Sequence, residues 1–589
     1  MEFTSAVKSS QNSVVSPDSY HIATLTGPRL AIRAVRSFDV IRSTNLPSEP
    51  NPKSACIRWS PIARSGDIST RVLVADDDNA RVWDLEDQRW SAVINNGTAG
   101  MGKIVNSEFG RSKDEVLLFS EFGSKVTAWS LVTGRTVEIR DPKFSNKGFG
   151  FRPKTGLFAL LSRPGPQDIL TLHAPGTYFV LKTITLPSAD AQGFKWSPDG
   201  RWIVLWDAPS TGYKIYVYTA DGHLYRMYSG EVIEELHGLG VKSVEWSPTG
   251  EYLAVGGFDR RVTLLSTRTF SPTVYLDHTP TIQLRDFSAS SVWQEQVSAS
   301  SRTYAVISQP ISPPTASSTP SDPSPKHGIS LATFNADGTL IATRDDSTPT
   351  TVWIWDLKTL SPRSILIQHS PVKSLTWHPT RLELLLIQCV QDDPVVYLWS
   401  SSPSPSSQPV ENDQKNSYQQ EAPSIIHTPV STSTSTPTKL SATFLQTPPH
   451  QNPIILLNTS STLPFYSATT SQLSTAPTST PATSSFILLY PYGKDPILRF
   501  PSHSNPGTPS HQNDYADESE DSLFEILTGR KRAGEKVAAD EVDGGADSTT
   551  RRLELESEID DEGEADYGGF EDTFRGRRGR GSGGGGMVA

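Results

Sequence analysis

The chain has 589 residues, a net charge of −11, 45 prolines, 41 glycines and two cysteines, Cys56 and Cys389. Two cysteines exclude a disulfide-built scaffold, and no apolar run approaches the roughly 20 residues a membrane-spanning helix needs. The acidic balance leaves the chain as a whole without a phosphate-binding footprint. No charged-then-apolar leader opens the chain, so an intracellular soluble protein is expected, with the sequons Asn96-Gly97-Thr98 and Asn458-Thr459-Ser460 unused.

In chain order the same unit recurs. A turn begins it, first at Ser16-Pro17-Asp18, then at Trp59-Ser60-Pro61, near Arg111, near Pro153, at Trp196-Ser197-Pro198-Asp199-Gly200, at Trp246-Ser247-Pro248-Thr249-Gly250, near Ala336 and near Pro379. A short apolar strand comes next, as in Trp202-Ile203-Val204-Leu205, Tyr252-Leu253-Ala254-Val255 and Leu340-Ile341-Ala342-Thr343. A second strand then alternates apolar residues and ends in Trp or a substitute: Ala80-Arg81-Val82-Trp83, Val126-Thr127-Ala128-Trp129, Ile215-Tyr216-Val217-Tyr218, Val262-Thr263-Leu264-Leu265, Val352-Trp353-Ile354-Trp355 and Val396-Tyr397-Leu398-Trp399. Period-two spacing sends alternate side chains to one buried face, and Gly, Pro, Asp and Asn mark the turns.

Most steps are roughly 42–50 residues, the period of a four-stranded WD40 propeller blade. The fold expected is an all-β WD40 β-propeller, with seven or eight blades because such rings usually close with four to eight. The propeller is placed at 1–400 with a disordered Ser/Pro-rich insertion at 309–326, followed by a disordered linker at 401–438. A degenerate repeat with a low-complexity insertion is placed at 439–500, and a disordered tail at 501–589 that is acidic and then Arg/Gly-rich. The strands of that repeat would be Leu440-Ser441-Ala442-Thr443-Phe444, Ile454-Ile455-Leu456-Leu457 and Phe486-Ile487-Leu488-Leu489-Tyr490. Ser/Thr/Pro-rich runs bury too little apolar area to offset the entropy of ordering them.

The residues that catch the eye read as framework. Trp83, Asp84, Trp129, Asp259, Trp355, Asp356 and Trp399 occupy structural positions of the repeat, and His369 is expected to hydrogen-bond inside a blade. No P-loop, Gly-x-Ser-x-Gly elbow or His-Glu-x-x-His is present, and Asp76-Asp77-Asp78 lacks the spaced ligands of a calcium loop. No catalytic residue, cofactor or metal is therefore expected, and the chain is not read as an enzyme. A propeller-bearing serine peptidase would need a further α/β domain that the residues after 400 cannot form, and a phosphoinositide-binding propeller lacks its Phe-Arg-Arg-Gly motif. Thr436, in Thr436-Pro437-Thr438-Lys439, and Ser324, in Ser324-Pro325-Lys326, are candidate phosphorylation sites for proline-directed kinases. Thr319, Thr428 and Thr508 precede proline as minimal versions. The Arg575–Gly581 cluster gives a weak RNA-binding signal beside opposing charge.

The ordered set of repeats resembles a specific family, the spindle-pole and centrosomal WD-repeat protein eight. The residues that carry the likeness are Ser16-Pro17-Asp18 leading to Arg29-Leu30-Ala31-Ile32-Arg33, Gly97-Thr98-Ala99-Gly100, Gly238 to Pro248 followed by Leu253-Ala254-Val255-Gly256, and Ile341 to Asp346 through Val352 to Leu357. It covers about residues 1–400 and includes the long insertion between the sixth and seventh units; the Ser/Thr/Pro expansions and the tail depart from the family's compact pattern and look like a fungal-type elaboration. The resemblance implies a non-enzymatic scaffold in the cytoplasm and cytoskeleton, at the spindle pole body or microtubule-organising centre. The implied partners are a coiled-coil spindle-pole anchoring protein and a minus-end-directed kinesin-14, with no membrane and no nucleic acid. The alternative is another WD40 adaptor, such as a translation-initiation or RNA-associated WD-repeat factor.

Overall fold

The computed structural model describes residues 1–10, 12–51, 54–62, 67–95, 102–230, 239–284, 291–298, 301–316, 327–401, 422–429, 438–448, 451–461, 484–493 and 553–555. Among these residues the strands assemble into nine sheets, and short 3₁₀ turns at Glu121–Gly123 and Pro209–Thr211 are the helical elements. Each sheet is one blade, built on three or four antiparallel strands laid down in chain order, with strands from elsewhere in the chain added to three of them. Blades 1 to 3 begin with Asn12–Val15, Cys56–Trp59 and Ile104–Phe109, blades 4 to 6 with Phe149–Phe151, Ala191–Trp196 and Val241–Trp246, and blades 7 to 9 with Ile329–Phe334, Val372–Trp377 and Thr438–Phe444.

Nine blades correct the expected seven or eight. The unit that looked degenerate is complete once the start of the chain is added to it. Thr438–Phe444, Ile455–Ser461 and Ser484–Tyr490 make three strands, and Glu2–Phe3 and Val7–Ser9 pair antiparallel with Ser484–Tyr490 as the outermost position. The packing shows that the ring is closed. Every neighbouring pair of blades encloses its own apolar cluster, as where Ile32 of blade 1 meets Val74 of blade 2. The last two clusters join Leu386 and Leu398 of blade 8 to Ile455 and Leu489 of blade 9, and Leu456 and Phe486 of blade 9 to Ile22 and Phe38 of blade 1. The core is thus nine wedges between sheets, each filled by the alternate apolar residues of two strand sets.

The Ser-Pro-Asp-Gly signature has a local cause. The Ser197 hydroxyl donates to Asp199 at 2.5 Å and accepts the Trp202 N–H at 3.0 Å, so one side chain ties the turn to the next strand. Ser16 with Asp18 and His21 repeats the arrangement, and Asn335 accepts the Leu340 N–H at 2.9 Å in blade 7. Gly200, Gly250 and Gly338 close their turns at φ of 74°, 75° and 73°, a region that favours glycine.

Three stretches expected to stay unfolded carry structure. The outermost strand of blade 8, Ser424–His427, lies inside the 401–438 linker. Of 309–326, residues 309–316 are described, and Ile311 bridges Ile282. Upstream, Ser291–Val297 and Arg302–Val306 form a hairpin whose first strand runs parallel to Ser361–Ile367, extending blade 7 to six strands. Of the expected disordered tail at 501–589, Leu553–Leu555 are described, as a short strand parallel to Ser91–Asn95 of blade 2.

Candidate protein-interaction surface

Trp83 and Trp129 are buried near the ends of third strands. Asp84 pairs with Arg71 at 2.8 Å, and the same guanidinium reaches Asp114 of blade 3 at 2.6 Å and stacks over Trp90 at 4.0 Å. Asp356 accepts the Lys358 N–H at 2.8 Å in the turn after its strand. Trp399 is fully buried and meets Trp377 edge to face. Asp259 sits in the exposed turn between Tyr252–Gly257 and Arg261–Ser266.

His369 differs from expectation. Its ring is exposed, and its backbone N–H donates to Glu295 at 2.8 Å. Buried histidines elsewhere are hydrogen-bonded through the ring: His173 inside blade 4, to the Tyr178 carbonyl and the Thr171 hydroxyl at 2.9 Å each, and His278, which ends the approach to blade 7. The His278 Nδ1–H donates to the Arg260 carbonyl at 3.2 Å, and its Nε2 accepts from the Thr343 hydroxyl at 2.8 Å. Thr343 Oγ1 in turn accepts the Trp355 indole N–H at 2.9 Å. Burial pushes the His278 ring down to about 4, so it is neutral at physiological pH. The sequence placed His278 without neighbours, because the distance to Thr343 is 65 residues along the chain.

Other residues hold the surface in shape through contacts between blades. The indole N–H of Trp59 donates to the Val14 carbonyl at 2.9 Å, and that of Trp377 to the Thr333 carbonyl, so in blades 2 and 8 this Trp bolts the inner strand to the preceding blade. The hairpin beside blade 7 is pinned by a buried charge network. Arg302 pairs with Glu295 at 2.9 Å and with Asp393 of blade 8, while the Tyr397 hydroxyl donates to Glu295 at 2.8 Å. Asp168, wholly buried, is held by Lys143 at 2.7 Å and Arg163 at 2.5 Å; those contacts outweigh its burial and keep its carboxyl below the usual carboxylate range.

The face that carries the turn signatures holds two clefts. One, of 790 Å3, lies where blades 8, 9 and 1 meet, with Val35, Leu445 and Ile454 on its walls and Tyr20, Arg36 and Asp67 at its rim. Arg36 donates to Gln451 at 3.2 Å and the Ser19 hydroxyl accepts from the Gln446 N–H at 2.9 Å, so the cleft bridges the ring closure. The other, of 400 Å3, spans blades 4 to 6 over Phe149, Phe151, Phe194, Trp196 and Trp246, with Lys195 and Glu245 paired at 2.6 Å beside it. Apolar walls with a few polar groups at the edge suit the capture of a partner segment. Among the described residues no group of three or more His, Cys, Asp or Glu is placed to hold a metal ion. Asp76 instead accepts the Asp78 and Asn79 N–H groups at 3.0 and 2.7 Å, making a turn.

Of the candidate phosphorylation sites, Thr436 and Ser324 lie outside the described residues, as do Thr319 and Thr508. Thr428 is buried, and its hydroxyl donates to the Pro394 carbonyl at 2.9 Å.

This ring of four-stranded blades, with its turn signatures and its His278–Thr343–Trp355 ladder, is a WD40 β-propeller, an architecture that typically serves as a non-catalytic platform for protein contacts. Residues 230–264 match the family described as "WD domain, G-beta repeat", and the chain is a WD-repeat protein. It is 28% identical over 404 residues to the WD repeat-containing protein WRAP73 of Mus musculus, covering 65% of this chain and 83% of that one. It is 29% identical over 325 residues to an uncharacterized WD repeat-containing protein of Schizosaccharomyces pombe, covering 54% of this chain and 64% of that one. Among solved structures, a eukaryotic initiation factor superposes with a TM-score of 0.44 at 10% identity, over 68% of this chain and 87% of that one.

Proposed function

We propose that the protein is a non-enzymatic scaffold of the spindle pole body or microtubule-organising centre, working in the cytoplasm and cytoskeleton with a coiled-coil anchoring protein and a minus-end-directed kinesin-14. The observation that carries this reading is the ordered set of repeat sequences resembling the spindle-pole family, whose described members fall in successive blades of one closed ring; Gly97-Thr98-Ala99-Gly100 and Gly238 lie outside the described residues. The long match to the mouse WD-repeat protein supports it. Rigid blades hold the two clefts in fixed relation, as a platform for partner segments requires. Microtubule surfaces are acidic, so a chain of net charge −11 reaches them through a partner. Phosphorylation of Thr436 or Ser324 would add about −1.5 to −2 charges and alter a docking contact.

The test is live imaging of a fluorescently tagged chain through mitosis with mass spectrometry of co-purifying proteins. Foci at spindle poles with a coiled-coil protein and a kinesin are expected. Diffuse signal with ribosomal or RNA-bound proteins would reject the reading in favour of a translation-associated adaptor. Phosphopeptides compared between mitosis and interphase test the switch; Thr436 and Ser324 unmodified in both would remove it.

A further inference from the structure

Besides blade 9, which the N-terminal strands complete, two blades carry a strand borrowed from elsewhere in the chain on their outer edge. Blade 7 takes Ser291–Val297 in parallel, and Ile365, Leu366 and Ile367 beneath it are fully buried. Blade 2 takes Leu553–Leu555 in parallel on Ser91–Asn95. Strand addition at the rim is thus a habit of this fold.

Blade 5 has an apolar outer strand without such a cover. Its outermost strand, Leu224–Tyr228, reads Leu-Tyr-Arg-Met-Tyr, and no strand lies beyond it among the described residues. Leu224, Tyr225 and Met227 are 49, 51 and 55% exposed. The neighbouring edge of blade 4 continues the patch with Phe179, Val180 and Leu181, 72, 58 and 60% exposed. The two edges touch: Lys182 Nζ donates to the Asp221 carbonyl at 2.8 Å, and a Cβ on Gly222 would fall 2.3 Å from Ile184 Cδ1. Apolar, open strand edges are aggregation hazards that proteins keep when a partner uses them.

The charge along the patch selects the partner. Lys182 and Arg226 each donate to a main-chain carbonyl, Arg226 to Thr269 at 2.5 Å, and Arg268 is exposed next to Thr269. None of the three has a carboxylate within ion-pairing distance among the described residues; Asp221, 3.2 Å from the His223 ring, attracts Lys182 from further off. We infer that the outer edge of blade 5, with the adjoining edge of blade 4, is a docking site for an extended segment of a partner protein in which apolar residues alternate with carboxylates. That segment adds to Leu224–Tyr228 as a further strand, its main chain paired with the open edge and its carboxylates beside Lys182, Arg226 and Arg268. This holds whatever the cellular address of the protein.

The experiment is a selection of displayed random peptides, about 16 residues long, on the full chain. Binding of enriched peptides is then followed by fluorescence anisotropy and by hydrogen exchange. Enriched sequences are expected to alternate apolar residues with Asp or Glu and to protect the amides of Leu224–Tyr228. The double variant Leu224→Lys/Met227→Lys, and separately Arg226→Glu, should each weaken binding about tenfold or more with an unchanged melting temperature. No enrichment, peptides of another pattern, equal binding to the variants, or protection elsewhere would overturn the inference. So would a dimer in light scattering that the double variant dissolves, which would assign the edge to a second copy of this chain.

Discussion

At the scale of single residues, stability rests on buried polar groups that are satisfied in chains. Thr343 is the middle of one: it accepts from Trp355 and donates to His278. Thr343→Val should leave His278 Nε2 and the Trp355 indole N–H without a partner and cost about 1–3 kcal/mol, the usual cost of orphaning buried groups; a urea titration of variant and parent measures it. The same ladder makes the ring sensitive to acid. His278 titrates at about 4 when folded against 6.5 ordinarily, so between these values the unfolded chain binds the proton first and stability falls as pH falls. The loss from His278 approaches about 3 kcal/mol at the lower end of that window. His378, lowered to about 4 by burial, acts in the same direction. Melting temperatures read from pH 7 to 4 should drop, and His278→Leu, though less stable at neutral pH, should show a shallower drop.

At the scale of elements, the two additions to regular blades are the vulnerable places. The hairpin of Ser291–Val297 and Arg302–Val306 depends on the Glu295–Arg302 pair. Removing one member of a buried pair strands the other, so Glu295→Ala should cost about 3 kcal/mol. Hydrogen exchange should then show 291–306 opening before the rest of blade 7. The N-terminal strands are the second place. Phe3 packs against the cluster between blades 8 and 9, and Val7 against the cluster between blades 9 and 1. Phe3→Ala should destabilise by about 2 kcal/mol, less than a full core truncation because Phe3 is half-buried. Limited proteolysis should cut first around the ninth blade.

At the scale of the whole molecule, closure is the cooperative feature. A chain cut to residues 1–430 loses blade 9 and uncovers Ile22, Phe38, Leu386 and Leu398 together. It should bind a hydrophobic dye and run larger than its mass in size-exclusion chromatography. A chain of residues 1–493 holds all nine blades and should remain compact. Loss of compactness in the second chain as well would mean that the ring depends on the segment after residue 493.

By itself the sequence determined the class of fold and the eight turns ahead of residue 400. These come from local chemistry: a serine and an aspartate within two residues of each other in a turn, a glycine at positive φ, and apolar residues at every second position. The tertiary structure decided the rest, because each remaining feature joins residues far apart in the chain. Blade 9 looked degenerate until Glu2–Phe3 and Val7–Ser9 supplied its edge, and only that pairing raised the count to nine. Ser424–His427 was hidden in a Ser/Thr/Pro-rich run because one strand of four residues has no periodicity of its own. His369 looked like the ladder histidine, yet hydrogen bonding depends on which ring reaches Thr343, and that is His278. The clefts and the open edge of blade 5 likewise exist only once neighbouring blades are side by side, since a strand's exposure is a property of its packing neighbours.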